Sequence, residues 1–295
     1  MLAGISITCF AASYAVAWLL EVSRLFFRSG VRRAIMVGFA IAGLAAQTMY
    51  LAYRAQAASA SPLSSNFDWC LVAAWMLAGA YLYLCYYYPQ TAIGLFLLPM
   101  VLGLIAAAGL LADREPIAPE PASKVWGMIH GVFLLLGAVA VMVGFVAGVM
   151  YLMQAYRLKH KLPPMRSLRF PSLEWLEKVN ARALPLSALM VAVGFLAGII
   201  LKVVGDQRIA ELPWSDPVVW TSGMMLSWLV VATLFGAFYK PARQGRKVAY
   251  LTVVSFVFLC ISLGVLLMVD TEHGQRRAEL DISSRLSPAA GRGAS

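Results

Sequence analysis

The stretch VWGMIHGVFLLLGAVAVMVGFVAGVMYLM, from Val125 to Met153, decides the fold class because it holds no charged side chain along its whole length. An α-helix needs about 20 apolar residues to cross the hydrocarbon core of a bilayer. In that core the backbone polar groups must be paired within the segment, which a helix achieves. The stretch therefore predicts a membrane-spanning helix with one imidazole, His130, near its start.

Seven other apolar stretches have a comparable length and the same lack of acidic side chains at their centres. The complete set of predicted spans is Leu2–Leu20, Ile35–Leu51, Leu71–Tyr87, Thr91–Leu111, Val125–Met153, Leu184–Val203, Val218–Phe238 and Val248–Val269. The first lacks a basic leading segment and a small-residue cleavage site, so we expect a retained helix instead of a removed signal peptide. The sequence predicts an all-α fold, a polytopic membrane helix bundle of about eight transmembrane helices.

The composition of the whole chain supports this interpretation. Hydrophobic residues make up 61% of the 295 residues and charged residues 13%, with a mean hydropathy of +0.76. Soluble domains are closer to half apolar and one quarter charged. A soluble enzyme, a disordered protein and a disulfide-stapled secreted module are therefore excluded, and we expect a multi-pass protein of the cell (inner) membrane.

The basic residues indicate how the bundle is oriented. The loops on one side hold 15 Lys and Arg residues and those on the other side hold five. Because cytoplasmic loops are enriched in Lys and Arg, the richer side is predicted to be cytoplasmic and both termini to lie outside. This bias accounts for the net charge of +10, and no aromatic-interleaved basic groove points to nucleic acid.

The chain divides into three regions on this interpretation. Residues 1–124 form an N-terminal four-helix membrane region, and residues 125–273 form a second set of four helices with an outer tryptophan-bearing loop. The polar tail, residues 274–295, is predicted to be disordered. Small residues in the fifth span are expected to let helices approach closely: Gly127, Gly131, Gly137, Gly144 and Gly148.

Two histidines are candidates for chemistry. His130 lies inside the fifth span, where an imidazole must find a partner or a cavity, and His273 follows the eighth span on the same predicted side. His160, in a basic inner loop, is expected to be solvated. A packing role for His130 remains the alternative. If the two histidines are adjacent in space, they form a suitable axial pair for haem iron.

The outer loop Gly205–Trp220, GDQRIAELPWSDPVVW, is the third candidate element. Trp214 and Trp220 are either interfacial anchors or, together with Trp228, a shelf for a flat macrocycle. Asp216 is the acidic residue of this tryptophan segment. Basic side chains on the same side are able to pair with carboxylates such as haem propionates: Lys124, Lys202 and Arg208. Four cysteines without CxxC spacing are expected to be apolar filler: Cys9, Cys70, Cys85 and Cys260.

In these residues the chain resembles the cytochrome c assembly proteins that handle haem, the CcsA/CcmC/HemX-like family. The resemblance covers Trp126 to His273, in the order histidine, Leu-Glu loop helix, tryptophan loop and terminal histidine. Its segments are WGMIHGVFLLLGAVAVMVGFVAGVMYLMQ, PSLEWLEKVNARALPLSALMVAVGFLAGII, WSDPVVW and the final GRKVAYLTVVSFVFLCISLG with TEHG. No histidine precedes His130, so the chain is more similar to the shorter HemX-like branch than to a complete channel and synthase.

The resemblance implies a function at the outer membrane face. It implies that His130 and His273 ligate the iron of a transiently held b-type haem, with Trp214, Asp216 and Trp220 around it. Such a protein presents haem to apocytochrome c, as a component of a cytochrome c synthase system and together with a second assembly membrane protein. Two alternatives stay open: a HemX-type protein that modulates haem synthesis, and a membrane scaffold with a degenerate site.

Overall fold

A computed structural model describes residues 6–23, 30–57, 65–89, 91–112, 121–161, 170–204, 216–238 and 245–268. These residues form eight α-helices and no strand. In chain order they are α1 (Ile7–Ser23), α2 (Gly30–Ala57), α3 (Asn66–Tyr87), α4 (Gly94–Leu111), α5 (Pro121–Lys159), α6 (Leu173–Val204), α7 (Pro217–Phe238) and α8 (Gly245–Met268).

The predicted fold class is confirmed. In the described part of the chain, seven helices are long and apolar enough to cross a membrane, and α1 is apolar over 17 residues. That length is at the lower limit for a spanning helix. The chain is therefore a multi-pass membrane protein. The direction in which it is inserted stays a prediction from the charge bias.

Several helix bounds differ from the predicted spans, most of all at the start of the sixth span. The loop helix that begins after Ser172 and the sixth span are a single helix, α6, which carries Pro185 in its interior. The hydroxyl of Ser172 accepts a hydrogen bond from the backbone N–H of Trp175 at 3.3 Å, which confirms the predicted cap. A proline inside a membrane helix is tolerated where neighbouring helices compensate for the lost hydrogen bond.

The helices pack in two neighbouring sets. In the first, α1 contacts α2 and α4, and α3 contacts α2 and α4; in the second, α5 and α6 form the most extensive contact, with α7 and α8 completing the set. Helix α5 also contacts α3 and α4, and so joins the two sets. Helix α5 is therefore the element that links the two sets.

The glycines of α5 explain its close packing, as predicted for four of the five. A Cβ atom on Gly137 would lie 2.5 Å from Cγ2 of Val191 on α6, and one on Gly148 would lie 2.6 Å from Oγ1 of Thr252 on α8. At Gly127, by contrast, the nearest side chain would be at 4.0 Å, an ordinary contact. Small residues permit such approaches between membrane helices.

Two polar side chains inside the spans, Tyr14 and Gln47, are paired across helices. The hydroxyl of Tyr14 donates to Oε1 of Gln47 at 2.8 Å, and Nε2 of Gln47 donates to the carbonyl of Leu71 at 3.0 Å. This chain of hydrogen bonds joins α1, α2 and α3. Polar groups in the membrane core need such partners because no water is available there.

The four cysteines carry free thiols, and Cys70 is buried.

Candidate functional site

His130 lies on α5 at the end of the bundle where α5 begins and α8 ends. We call this the outer end, following the charge bias. Its Nδ1 atom is 2.7 Å from the carbonyl oxygen of Gly194 on α6. A carbonyl oxygen only accepts hydrogen bonds, so Nδ1 is the donor, and in the neutral ring the lone pair then belongs to Nε2.

The imidazole lies in a groove that two glycines leave on α6. A Cβ atom on Gly198 would fall 2.7 Å from Nδ1 and 2.8 Å from Cε1 of His130, closer than side chains approach each other. One turn further along α5, Leu134 lies against Gly194, where a Cβ would be 2.9 Å from its Cδ2. The spacing of four residues puts both glycines on one face of α6.

Helix α8 runs antiparallel to α5 and ends close to the level of His130. The rings of Phe145 on α5 and Phe256 on α8 stack with centroids 4.0 Å apart, and Gly148 faces Thr252. Continuing this register along both helices sets Met268, the last residue of α8, level with residues 132 and 133 of α5, within one turn of His130. The predicted second ligand, His273, lies five residues beyond, outside the described residues.

Asp216 has a structural role at the start of α7. It is 3% exposed and stands immediately before α7, where its Oδ1 accepts the backbone N–H of Val218 at 2.8 Å. Pro217 follows as the first helical residue, a favoured position for proline. Asp216 is therefore the N-cap of α7.

Two of the three candidate shelf tryptophans, Trp220 and Trp228, lie on α7 in the described part of the chain. Trp220 is on the first turn of α7 and is 63% exposed, whereas Trp214 and Arg208 lie outside the described residues. Trp228 is two turns deeper, where its indole N–H donates to Oγ of Ser255 at 3.0 Å. Its ring also stacks on Phe258. Trp228 packs between α7 and α8, and the engagement of both its ring and its N–H there favours a packing role over a place in the outer shelf.

A tryptophan that was not predicted as part of the site, Trp69, lies against the residue that follows His130. Trp69, near the start of α3, lies against Gly131: a Cβ there would be 2.5 Å from Cζ2 of the indole. The preceding residue, Asp68, is fixed by an ion pair with Arg54 at 2.6 Å. In the sequence Trp69 stands just before the predicted span Leu71–Tyr87, and only the packing of α3 on α5 places it beside Gly131.

The imidazole of His130 is of the kind that can serve as an axial ligand to a haem iron. Among the residues that the structure describes, no three His, Cys, Asp or Glu side chains gather into a metal site. A haem brings four ring nitrogens of its own and needs only axial ligands from the protein. A neutral imidazole whose Nδ1 donates to a backbone carbonyl is typical of such a ligand.

His160 is exposed and its Nδ1 donates to the carbonyl of Tyr156, as expected for a solvated loop residue.

The match to a known protein family covers more of the chain than the resemblance seen from Trp126 to His273. The model of the cytochrome C assembly protein family matches residues 6–273, which takes in the first four helices as well as the last four. The chain is 25% identical over 286 residues to the cytochrome c biogenesis protein CcsA of Microcystis aeruginosa (strain NIES-843 / IAM M-2473). This alignment covers 80% of the chain and 85% of that protein. No solved structure matches the chain.

Proposed function

The chain belongs to the cytochrome c assembly protein family, whose role is in c-type cytochrome biogenesis, and on this premise we propose that it presents haem at the outer membrane face. The haem is held transiently and is attached to apocytochrome c while it is presented. In this proposal the haem is cargo, and the chain acts by holding and orienting it.

The observation that carries the proposal is the hydrogen bond from His130 to Gly194. Histidines that ligate metals almost always donate their other ring N–H to a carbonyl or carboxylate, which fixes the tautomer and the orientation of the ring. The 2.7 Å contact between Nδ1 of His130 and the carbonyl oxygen of Gly194 places the proton on Nδ1 and the lone pair on Nε2. An ionisable or imidazole group at this depth in a membrane protein is also a functional candidate by default.

The remaining site residues have assigned roles in the proposal. His273 is the second axial ligand, and Trp214 and Trp220 are aromatic surfaces for the ring. Asp216 holds the start of α7, from which Trp220 projects. Lys202, near the end of α6, carries a positive charge suited to a carboxylate of the cargo, as do Lys124 and Arg208. The haem supplies the vinyl groups to which the cysteine thiols of apocytochrome are joined.

The partners follow from this role. An apocytochrome must bring reduced thiols to the haem while the chain keeps the ring in place, so positioning accounts for the chain's contribution. A second assembly membrane protein completes the synthase system in this proposal. The division into an N-terminal region, residues 1–124, and a haem-handling region, residues 125–273, is part of the same proposal.

The test combines a spectrum with a genetic measurement. The detergent-purified protein is expected to show a haem absorbance band, and a strain lacking the chain is expected to lose covalent cytochrome c, restored by the intact chain. Absence of haem from the purified protein would favour a membrane scaffold. Normal cytochrome c yield in the deletion strain, with altered haem synthesis, would instead favour a HemX-type modulator.

A further inference from the structure

We propose that Gly198 is a positioning residue for His130: the space it leaves on α6 holds the imidazole in the Nδ1–H tautomer against Gly194. The inference about the tautomer stands on the packing of α5 on α6 alone. Its consequence for haem rests on the proposed function.

The first step is steric. A Cβ atom on Gly198 would meet Nδ1 and Cε1 of His130 at 2.7 and 2.8 Å, so a side chain there must move the ring or the helix. The ring has little freedom to yield, because its Nδ1 is bound to a backbone carbonyl of the same helix. Close-packed interiors do not absorb such overlaps without loss of the contact.

The second step concerns the proton. Which imidazole nitrogen is protonated depends on the hydrogen bond that the other makes. The carbonyl of Gly194 has two lone pairs, one directed along α6 to the N–H of Gly198 and one available to His130. Only a ring that reaches this carbonyl is held with its proton on Nδ1. Gly198 provides the access, and Gly194 the acceptor.

Two glycines of α5 distinguish this role from ordinary helix packing. Gly137 lies in the same α5–α6 interface, about 10 Å deeper than His130, and a Cβ there would be 2.5 Å from Cγ2 of Val191. Gly127 lies on α5 on the other side of His130, where a Cβ would meet nothing closer than 4.0 Å. G137A therefore disturbs the interface without touching His130, and G127A disturbs neither.

The experiment measures the tautomer in the full chain without haem. The protein is labelled with ¹⁵N,¹³C-histidine and reconstituted into lipid bilayers, with His160→Gln and His273→Gln so that His130 alone contributes. Solid-state NMR distinguishes Nδ1–H from Nε2–H imidazole by the shifts of both nitrogens. The Nδ1–H form is expected in this protein, in G127A and in G137A, and loss of that form is expected in G198A.

Haem affinity is measured in parallel, in the chain that keeps all three histidines. G198A is expected to bind haem about 10- to 100-fold more weakly, as when a hydrogen-bond partner of a metal ligand is lost. Added imidazole should restore a low-spin spectrum, since a free ligand replaces the displaced ring.

Two results would overturn the inference. One is an Nε2–H signal from His130 in the parent protein, a measurement that requires no substitution at Gly198 and so does not depend on the folding of G198A. The other is a folded G198A that keeps the Nδ1–H form. If the tautomer changes in G198A while the haem spectrum and affinity stay as in the parent, the inference stands and the role of His130 as a haem ligand fails.

Discussion

Asp216 accepts a hydrogen bond from the backbone N–H of Val218, with 2.8 Å between Oδ1 and N, and this bond closes the first turn of α7. The Asp-Pro pair at this point is therefore explained by helix initiation, whatever the loop before it binds. The same residue is a candidate haem contact. The two roles differ in what they require, because a cap needs an oxygen acceptor and a charged contact needs the carboxylate.

Replacing Asp216 separates these roles. Asp216→Ala removes the cap and is expected to lower stability by about 1 kcal/mol, measured by thermal unfolding in detergent. Asp216→Asn retains an acceptor oxygen and should stay near the parent stability. If the Asn variant is stable but loses haem, the carboxylate itself contacts the cargo; equal haem content in parent and Asn variant limits Asp216 to capping.

The outer tryptophans are expected to contribute to haem retention. Trp220 is exposed on the first turn of α7, so its removal creates no cavity in the described core. The double variant Trp214→Ala and Trp220→Ala should insert normally and retain less haem after purification, as measured by the ratio of haem to protein absorbance.

Trp228→Phe is the matched control for these variants. It removes the hydrogen bond to Ser255 and keeps an aromatic ring against Phe258, so it should lower stability by about 1 kcal/mol and leave haem content unchanged. Normal haem content in the double variant would show that Trp214 and Trp220 serve as interfacial anchors only.

The orientation of the bundle is tested by labelling single cysteines from outside intact cells. The four native cysteines are first replaced by alanine, and either Ala210→Cys or His160→Cys is then introduced. Because Lys and Arg are concentrated in the loops on the side of His160, residue 210 should react with an impermeant maleimide and residue 160 should not. Labelling of residue 160 with protection of residue 210 would show that the bundle is inserted in the opposite direction.

The helices were predictable from the sequence because each span carries its own signal. The apolar length of Val125–Met153 requires a spanning helix regardless of its neighbours, and the capping hydroxyl of Ser172 is a local feature as well. The merging of the loop helix with the sixth span was not predicted, since Pro185 normally signals a helix boundary and its tolerance depends on neighbouring helices.

The candidate site was predictable only in part, because its contacts depend on how the helices pack against each other. His130 is conspicuous as a lone imidazole in an apolar stretch, but its acceptor on Gly194 is 64 residues away in the chain. The contact of Trp69 with Gly131 likewise depends on which faces of α3 and α5 meet. Such pairings arise from tertiary packing, and no spacing within one segment encodes them.

The central claim, that His130 and His273 are the axial ligands of a presented haem, is tested most directly by the optical spectrum of the detergent-purified double variant His130→Ala and His273→Ala. We expect haem to be absent from it, and each single variant to shift from low spin towards high spin and to respond to added imidazole. His160→Ala, which removes the exposed loop histidine, should match the parent protein. A double variant that retains the parent haem spectrum would contradict the assignment.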